Sequence, residues 1–143
     1  MNRRTVTDAK FVPLVALGGA LGTVARFGLS TLIPNAGALP INVVIINLSG
    51  AFFLGWLLEG LKLAGPDAGT RKAVRLGVGT GFLGGYTTYS MFVIDENGLI
   101  DTGNFLGSLV YALPTVALGV LAALLGGVVA RAIHRARAEG AAR

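Results

Sequence analysis

The sequence predicts an all-α membrane protein of four transmembrane helices, the third of them broken partway across. Three observations predict it. Of 143 residues, 53% are hydrophobic and 13% charged, where soluble globular chains carry about 25% charged residues. Four apolar stretches, each long enough to cross a bilayer, alternate with short turns. Inside the third, residues 77–92 (GVGTGFLGGYTTYSMF) hold five glycines and the hydroxyls of Thr80, Tyr86, Thr87, Thr88, Tyr89 and Ser90. A mean hydropathy of +0.70 and 22 glycines agree with that class, because glycine is commoner in membrane helices than in soluble ones.

Residues 1–10 form a basic N-terminal segment, 11–130 the four-helix domain and 131–143 a basic tail. The first span, about 11–33, contains one charge, Arg26. At 1.5 Å per residue it reaches roughly 34 Å, enough for the hydrocarbon core. Pro13 suits its first turn, where a missing N–H costs little. After the uncharged turn 34–40, the second span runs about 41–61, with Asn42 and Asn47 embedded and Glu59 at its far end. A polar loop, 62–75, precedes the third span, about 76–94. The acidic stretch 95–103 reads as a turn, and a fourth span runs about 105–130.

Charge placement then sets the expected orientation. Arg3, Arg4, Lys10, Lys62, Arg71, Lys72, Arg75, Arg131, Arg135, Arg137 and Arg143 fall on one side, and the loops 34–40 and 95–103 hold no lysine or arginine. Eleven against none predicts that both termini are cytoplasmic in the cell membrane. The net charge of +5 therefore reflects topology, and no nucleic-acid partner is expected. The absence of cysteine excludes disulfides and thiolate metal sites. No Ser–His pair, carboxylate cluster or metal-ligand set lies in the spans, so an enzyme is not expected.

Small residues mark the helix contacts. Gly18 and Gly22 lie four apart on one face of helix 1, and Ala112, Thr115, Gly119, Ala122 and Gly126 form a stripe on helix 4. Asn47, beside Gly50 and Ala51, either bridges helices or faces a pore, since a buried amide without partners is costly in lipid. Arg26 either snorkels to the interface or sits in a watery vestibule. Tyr111 and Trp56 read as packing or interfacial residues, and His134 as part of the solvated tail. Gly84-Gly85 lowers helix propensity by about 1 kcal/mol per glycine, and the threonines that follow can bond nearby backbone. A break there would free carbonyls for a cation and N–H and O–H donors for an anion. A tightly packed or kinked helix would use the same glycines.

Three ordered motifs, residues 18–26 (GGALGTVAR), 47–55 (NLSGAFFLG) and 80–92 (TGFLGGYTTYSMF), resemble the CrcB/Fluc family of fluoride channels. The resemblance spans about residues 11–130. It implies passive export of toxic fluoride by an antiparallel dimer of four-helix subunits, with pores along the dimer interface. It further implies a structural Na⁺ at the dimer centre, held by backbone carbonyls that correspond to Gly84 and Thr87. Asn47 corresponds to the family's pore asparagine, Tyr89 and Phe92 to its two pore phenylalanines, Thr88 and Ser90 to adjacent hydroxyls, and Arg26 to the helix 1 arginine. Asn and hydroxyl donors can replace fluoride's water, and aromatic edges carry positive quadrupole.

Two departures qualify the match. Tyr89-Ser-Met-Phe92 stands where the family usually has Phe-Ser-Thr-Phe. On the polar track of helix 4, the corresponding residues are Thr115, Gly119 and Ala123, of which only Thr115 keeps a hydroxyl. The strong charge bias fits one fixed orientation, hence a heterodimer with an oppositely inserted homologue. The alternative function is a small dimeric exporter of another ion or cationic compound. It would need an embedded carboxylate, and Glu59 lies too near the cytoplasmic end.

Overall fold

The computed structural model describes residues 9–33, 35 and 39–141. Among them, every extended regular element is helical. Helix α1 is Val12–Leu32 and α2 is Ile41–Ala64. The third helix has two arms. Its first, α3, is continuous over 69–86 but changes winding: α-helical at Gly69–Val74, π-helical at Arg75–Leu83, and α-helical again at Gly84–Tyr86. Its second arm, α4, is Tyr89–Asp101, and α5 is Phe105–Ala141. The result is four helices, one of them bent.

Three of these, α1, α2 and α5, are long and apolar enough to cross a membrane. Their apolar residues are not gathered into a large core. The buried apolar side chains are few (Val43, Ile46, Leu83, Leu99, Tyr111 and Ala130), while Phe27, Leu32, Leu106 and Leu113 are 66–78% exposed. In water such a surface would aggregate. In a bilayer it is the lipid-facing belt, so the chain is a multi-pass membrane protein.

The helices pack as two close pairs, α1 on α3 and α2 on α5, with the π-helical segment also touching α2 and with α4 against α5. Glycine makes both pairs possible. A Cβ on Gly22 would lie 2.0 Å from the Phe82 carbonyl oxygen, and one on Gly126 would lie 2.1 Å from that of Phe52. Backbones this near leave no room for a methyl group. The small-residue contact expected at Gly18 and Gly22 is therefore an approach of α1 to the glycine-rich arm of α3.

Some boundaries differ from the sequence expectation. The acidic stretch 95–101 is helical, and the chain turns only at Thr102–Asn104, where Gly103 has φ 74°. The tail continues α5 to Ala141, giving a 37-residue helix about 55 Å long. Pro114 sits inside it and removes the bond that would reach the Val110 carbonyl. Arg75 of α3 donates to both carboxylate oxygens of Asp67 in the loop after α2, at 2.8–3.1 Å. That hydrogen bonding holds the Asp67 carboxyl below its ordinary range. Arg3, Arg4, Arg143 and most of the 34–40 turn lie outside the described residues.

Candidate functional site

The bend is made by two extended residues. Thr87 has φ −74° and ψ 159°, and Thr88 has φ −143° and ψ 121°, between the helical turns of Tyr86 and Tyr89. Gly84 and Gly85, where propensity alone puts the weak point, remain helical. Their job is contact: a Cβ on Gly85 would fall 2.2 Å from the Gly19 carbonyl oxygen.

Asn47 of α2 holds the bend open. Its Oδ1 accepts from the Thr88 N–H at 2.8 Å, and its Nδ2 donates to the Thr88 carbonyl at 2.9 Å. Both polar groups of one extended residue are thus satisfied by one amide, which is what buried irregular backbone requires. Of the two readings open in the sequence, the helix bridge is what this geometry shows. One Nδ2 proton is left over.

The clamp has a second consequence. In an unbroken helix the Thr88 N–H would bond the Gly84 carbonyl and the Met91 N–H would bond the Thr87 carbonyl. Thr88 N–H instead bonds Asn47, and Met91 N–H donates to Thr88 Oγ1 at 3.2 Å. Both diversions come from side chains at the bend. They deprive two carbonyls, those of Gly84 and Thr87, of their helical donors. The Leu83 carbonyl is served twice, by the Thr87 N–H and the Thr87 hydroxyl, each at 3.0 Å.

These features open onto one cavity of about 620 Å³, whose walls include Asn47, Gly84, Thr87, Thr88, Tyr89, Phe92 and Thr115. Thr80, Gly50 and Gly119 also reach it, and among the described residues no lysine, arginine, aspartate or glutamate does. Ser90 is not a wall, but its hydroxyl lies 3.3 Å from that of Thr88. Arg26 and Ala123 are not among the walls either. The Tyr89 ring is 79% exposed and lies 6.2 Å from the Phe92 ring, which packs 5.2 Å from that of Tyr111. Tyr111 is thus the packing residue expected, with Phe92 as its partner. Thr115 donates its hydroxyl proton to the Tyr111 carbonyl at 2.5 Å, so in this rotamer its oxygen offers only lone pairs to the cavity.

The sequence reading gives little weight to Gly50 and Ser49, and both matter to the bend. A Cβ on Gly50 would come within 2.3 Å of Thr87 Cγ2. Ser49 Oγ and the Tyr86 hydroxyl are 2.9 Å apart. The available signal was spacing: Gly50 lies three residues from Asn47, on the same helix face.

A family model described as "CrcB-like protein, Camphor Resistance (CrcB)" matches residues 13–127. The chain is 52% identical over 113 residues to "Fluoride-specific ion channel FluC 2" of Leifsonia xyli subsp. xyli, covering 79% of this chain and 78% of that relative. It is 45% identical over 124 residues to "Fluoride-specific ion channel FluC 1" of Cutibacterium acnes, covering 86% and 84%. An archaeal relative, "Fluoride-specific ion channel FluC" of Pyrococcus furiosus, is 36% identical over 124 residues, covering 87% and 98%. On a match that spans most of its length, this bent four-helix chain belongs to the CrcB-like family.

Proposed function

We propose that the chain is a subunit of a fluoride-selective channel that passively exports fluoride across the cell membrane. The observation that carries this reading is the cavity at the bend. It combines an amide, hydroxyls and aromatic rings with no charged wall. Fluoride must exchange water for close donors, yet leave again. Uncharged donors meet both needs, whereas a lysine or arginine would hold the ion. The same walls disfavour a proton-coupled exporter, which needs a carboxylate in its path, and Glu59 instead pairs with Arg131 at 3.1 Å. Two of the relatives share at least 45% of the matched residues and carry the name of fluoride-specific channels.

In this reading the anion path runs along the spare Nδ2 proton of Asn47, the hydroxyls of Thr88 and Ser90, and the rings of Tyr89 and Phe92. Thr115 joins it after a rotamer change, and Arg26 serves as a vestibule charge that draws anions in. The Gly84 and Thr87 carbonyls, whose helical donors are diverted to side chains, are ligands of the kind a hard cation takes, and they are the pair that the family resemblance marks. With the equivalent pair from a partner they would hold Na⁺, whose charge balances the inward carbonyl dipoles. That requires an antiparallel dimer. Eleven cationic residues on one side against none on the other favour one insertion, with both termini cytoplasmic. The partner is then an oppositely inserted homologue.

Channel and exporter separate on one experiment. Liposomes carrying the chain together with its homologue are loaded with fluoride and given no proton or cation gradient. A channel releases fluoride down its own gradient under a potassium shunt; an exporter stays silent until an ion gradient is supplied.

A further inference from the structure

A second groove lies at the basic end of the bundle, away from the bend. It measures about 300 Å³ and runs between the last turns of α2 and the part of α5 that continues beyond the span, within the size range of small-ligand sites. Its α2 wall includes Trp56, Leu57 and Leu61, and its α5 wall includes Ile133, His134 and Arg137. The α5 residues share a face because 130, 133, 134 and 137 recur at helical spacing. Both helices run toward the basic side, so the groove is graded along the bilayer normal. Its deep end is apolar and its outer end carries the imidazole and the guanidinium. Arg137 lies seven residues past Ala130, roughly 10 Å, from where its long side chain can reach back to the headgroup layer that flanks the hydrocarbon core.

The charges around it are not self-neutralised. Arg131 is taken by Glu59, but neither His134 nor Arg137 makes an ion pair with a described residue, and both are exposed. Lys62 and Arg135 lie on the same side of the bundle but do not line the groove. An apolar slot that ends in unpaired positive charge complements a molecule with the opposite grading: an acyl chain below and an anionic phosphodiester above. Trp56 lies deeper, its backbone beside Gly126 of α5, so its ring belongs to the apolar part of the slot.

We propose that this groove is a binding site for an anionic phospholipid, with the phosphodiester on Arg137 and His134 and an acyl chain against Trp56, Leu57, Leu61 and Ile133. The site is independent of the fluoride path. A lipid so placed would tie the outer turns of α5 to α2 and anchor the basic end of the chain in its leaflet.

The chain has a single tryptophan, and it lines this groove, so its fluorescence reports occupancy. The full chain is reconstituted in phosphatidylcholine vesicles containing dibrominated phosphatidylglycerol or, separately, dibrominated phosphatidylcholine, and Trp56 quenching is compared at equal mole fraction. The expected preference for the anionic lipid is about fivefold, the contribution of one basic residue at a membrane surface. Arg137→Gln should bring it close to one, while Arg135→Gln, which removes the same charge outside the groove, should leave it unchanged. Equal quenching by both lipids in the unmodified chain overturns the proposal. So does an equal loss in both variants, which would mean general surface charge. Shielding of Trp56 from both lipids would place a second copy of the chain in the groove, and also contradicts it.

Discussion

Asn47 uses its acceptor and one of its donors on the N–H and C=O of a single residue, Thr88. Truncating it to alanine leaves both groups unpaired at a partly buried bend, each costing about 1–3 kcal/mol. Asn47→Ala is therefore expected to lower stability by roughly 2 kcal/mol or more, read as a drop in the thermal midpoint in detergent, and to abolish fluoride flux. A variant that keeps its midpoint would mean that the clamp is not what holds the bend. Gly50 offers a sharper test. An alanine there places its Cβ 2.3 Å from Thr87 Cγ2, and overpacking of this kind costs about 1–3 kcal/mol. Thr87→Ser removes that methyl group while keeping the hydroxyl. The double variant Gly50→Ala/Thr87→Ser should recover most of the stability that Gly50→Ala loses, and simple additivity of the two changes would refute the contact.

The second arm of the broken helix begins with a side-chain cap, since Thr88 Oγ1 accepts from the Met91 N–H. Thr88→Ala should destabilise by about 1 kcal/mol, and Thr88→Ser should not. Amide exchange at the first turn of α4 should quicken in the alanine variant alone; equal protection in both would rule out the cap. This helix also shows what was legible in the sequence. Hydropathy marks α1 and α2 within a few residues, because the bilayer constrains their length and composition, but it stops at 130 in α5, whose helix continues through the basic tail to Ala141. The glycines at 84 and 85 mark the right helix but not the right residues. Helix propensity is local, whereas the bend is decided by an asparagine 41 residues earlier. Nor does glycine spacing distinguish the π-helical winding of Arg75–Leu83 from an ordinary helix. The acidic stretch after Ile94 looked like a turn because its charges suit water, and an exposed helix accommodates them equally well.

At the scale of the molecule, most of the residues marked out in the sequence share one cavity: Asn47, Gly84, Thr87, Thr88, Tyr89, Phe92 and Thr115. Periodicity alone does not bring α2, both arms of the broken helix and α5 together; the family motifs mark α2 and the broken helix, and none of them lies on α5. Thr115 is the exception in detail, since its hydroxyl proton faces the Tyr111 carbonyl, a choice of rotamer that no sequence pattern encodes. The proposed fixed insertion is open to direct measurement. Cysteines introduced singly near the two termini should react with a membrane-impermeant thiol reagent only after the cells are opened. Labelling of a substantial fraction from outside would show dual insertion and a partner that is the same chain. Selective conduction of fluoride through the cavity at the bend is measured with a fluoride electrode outside proteoliposomes loaded with equal fluoride and chloride. Rapid fluoride release is expected when valinomycin is added to vesicles carrying the chain with its homologue, with chloride retained; equal release of both anions, or release of neither, would rule out a fluoride-selective path.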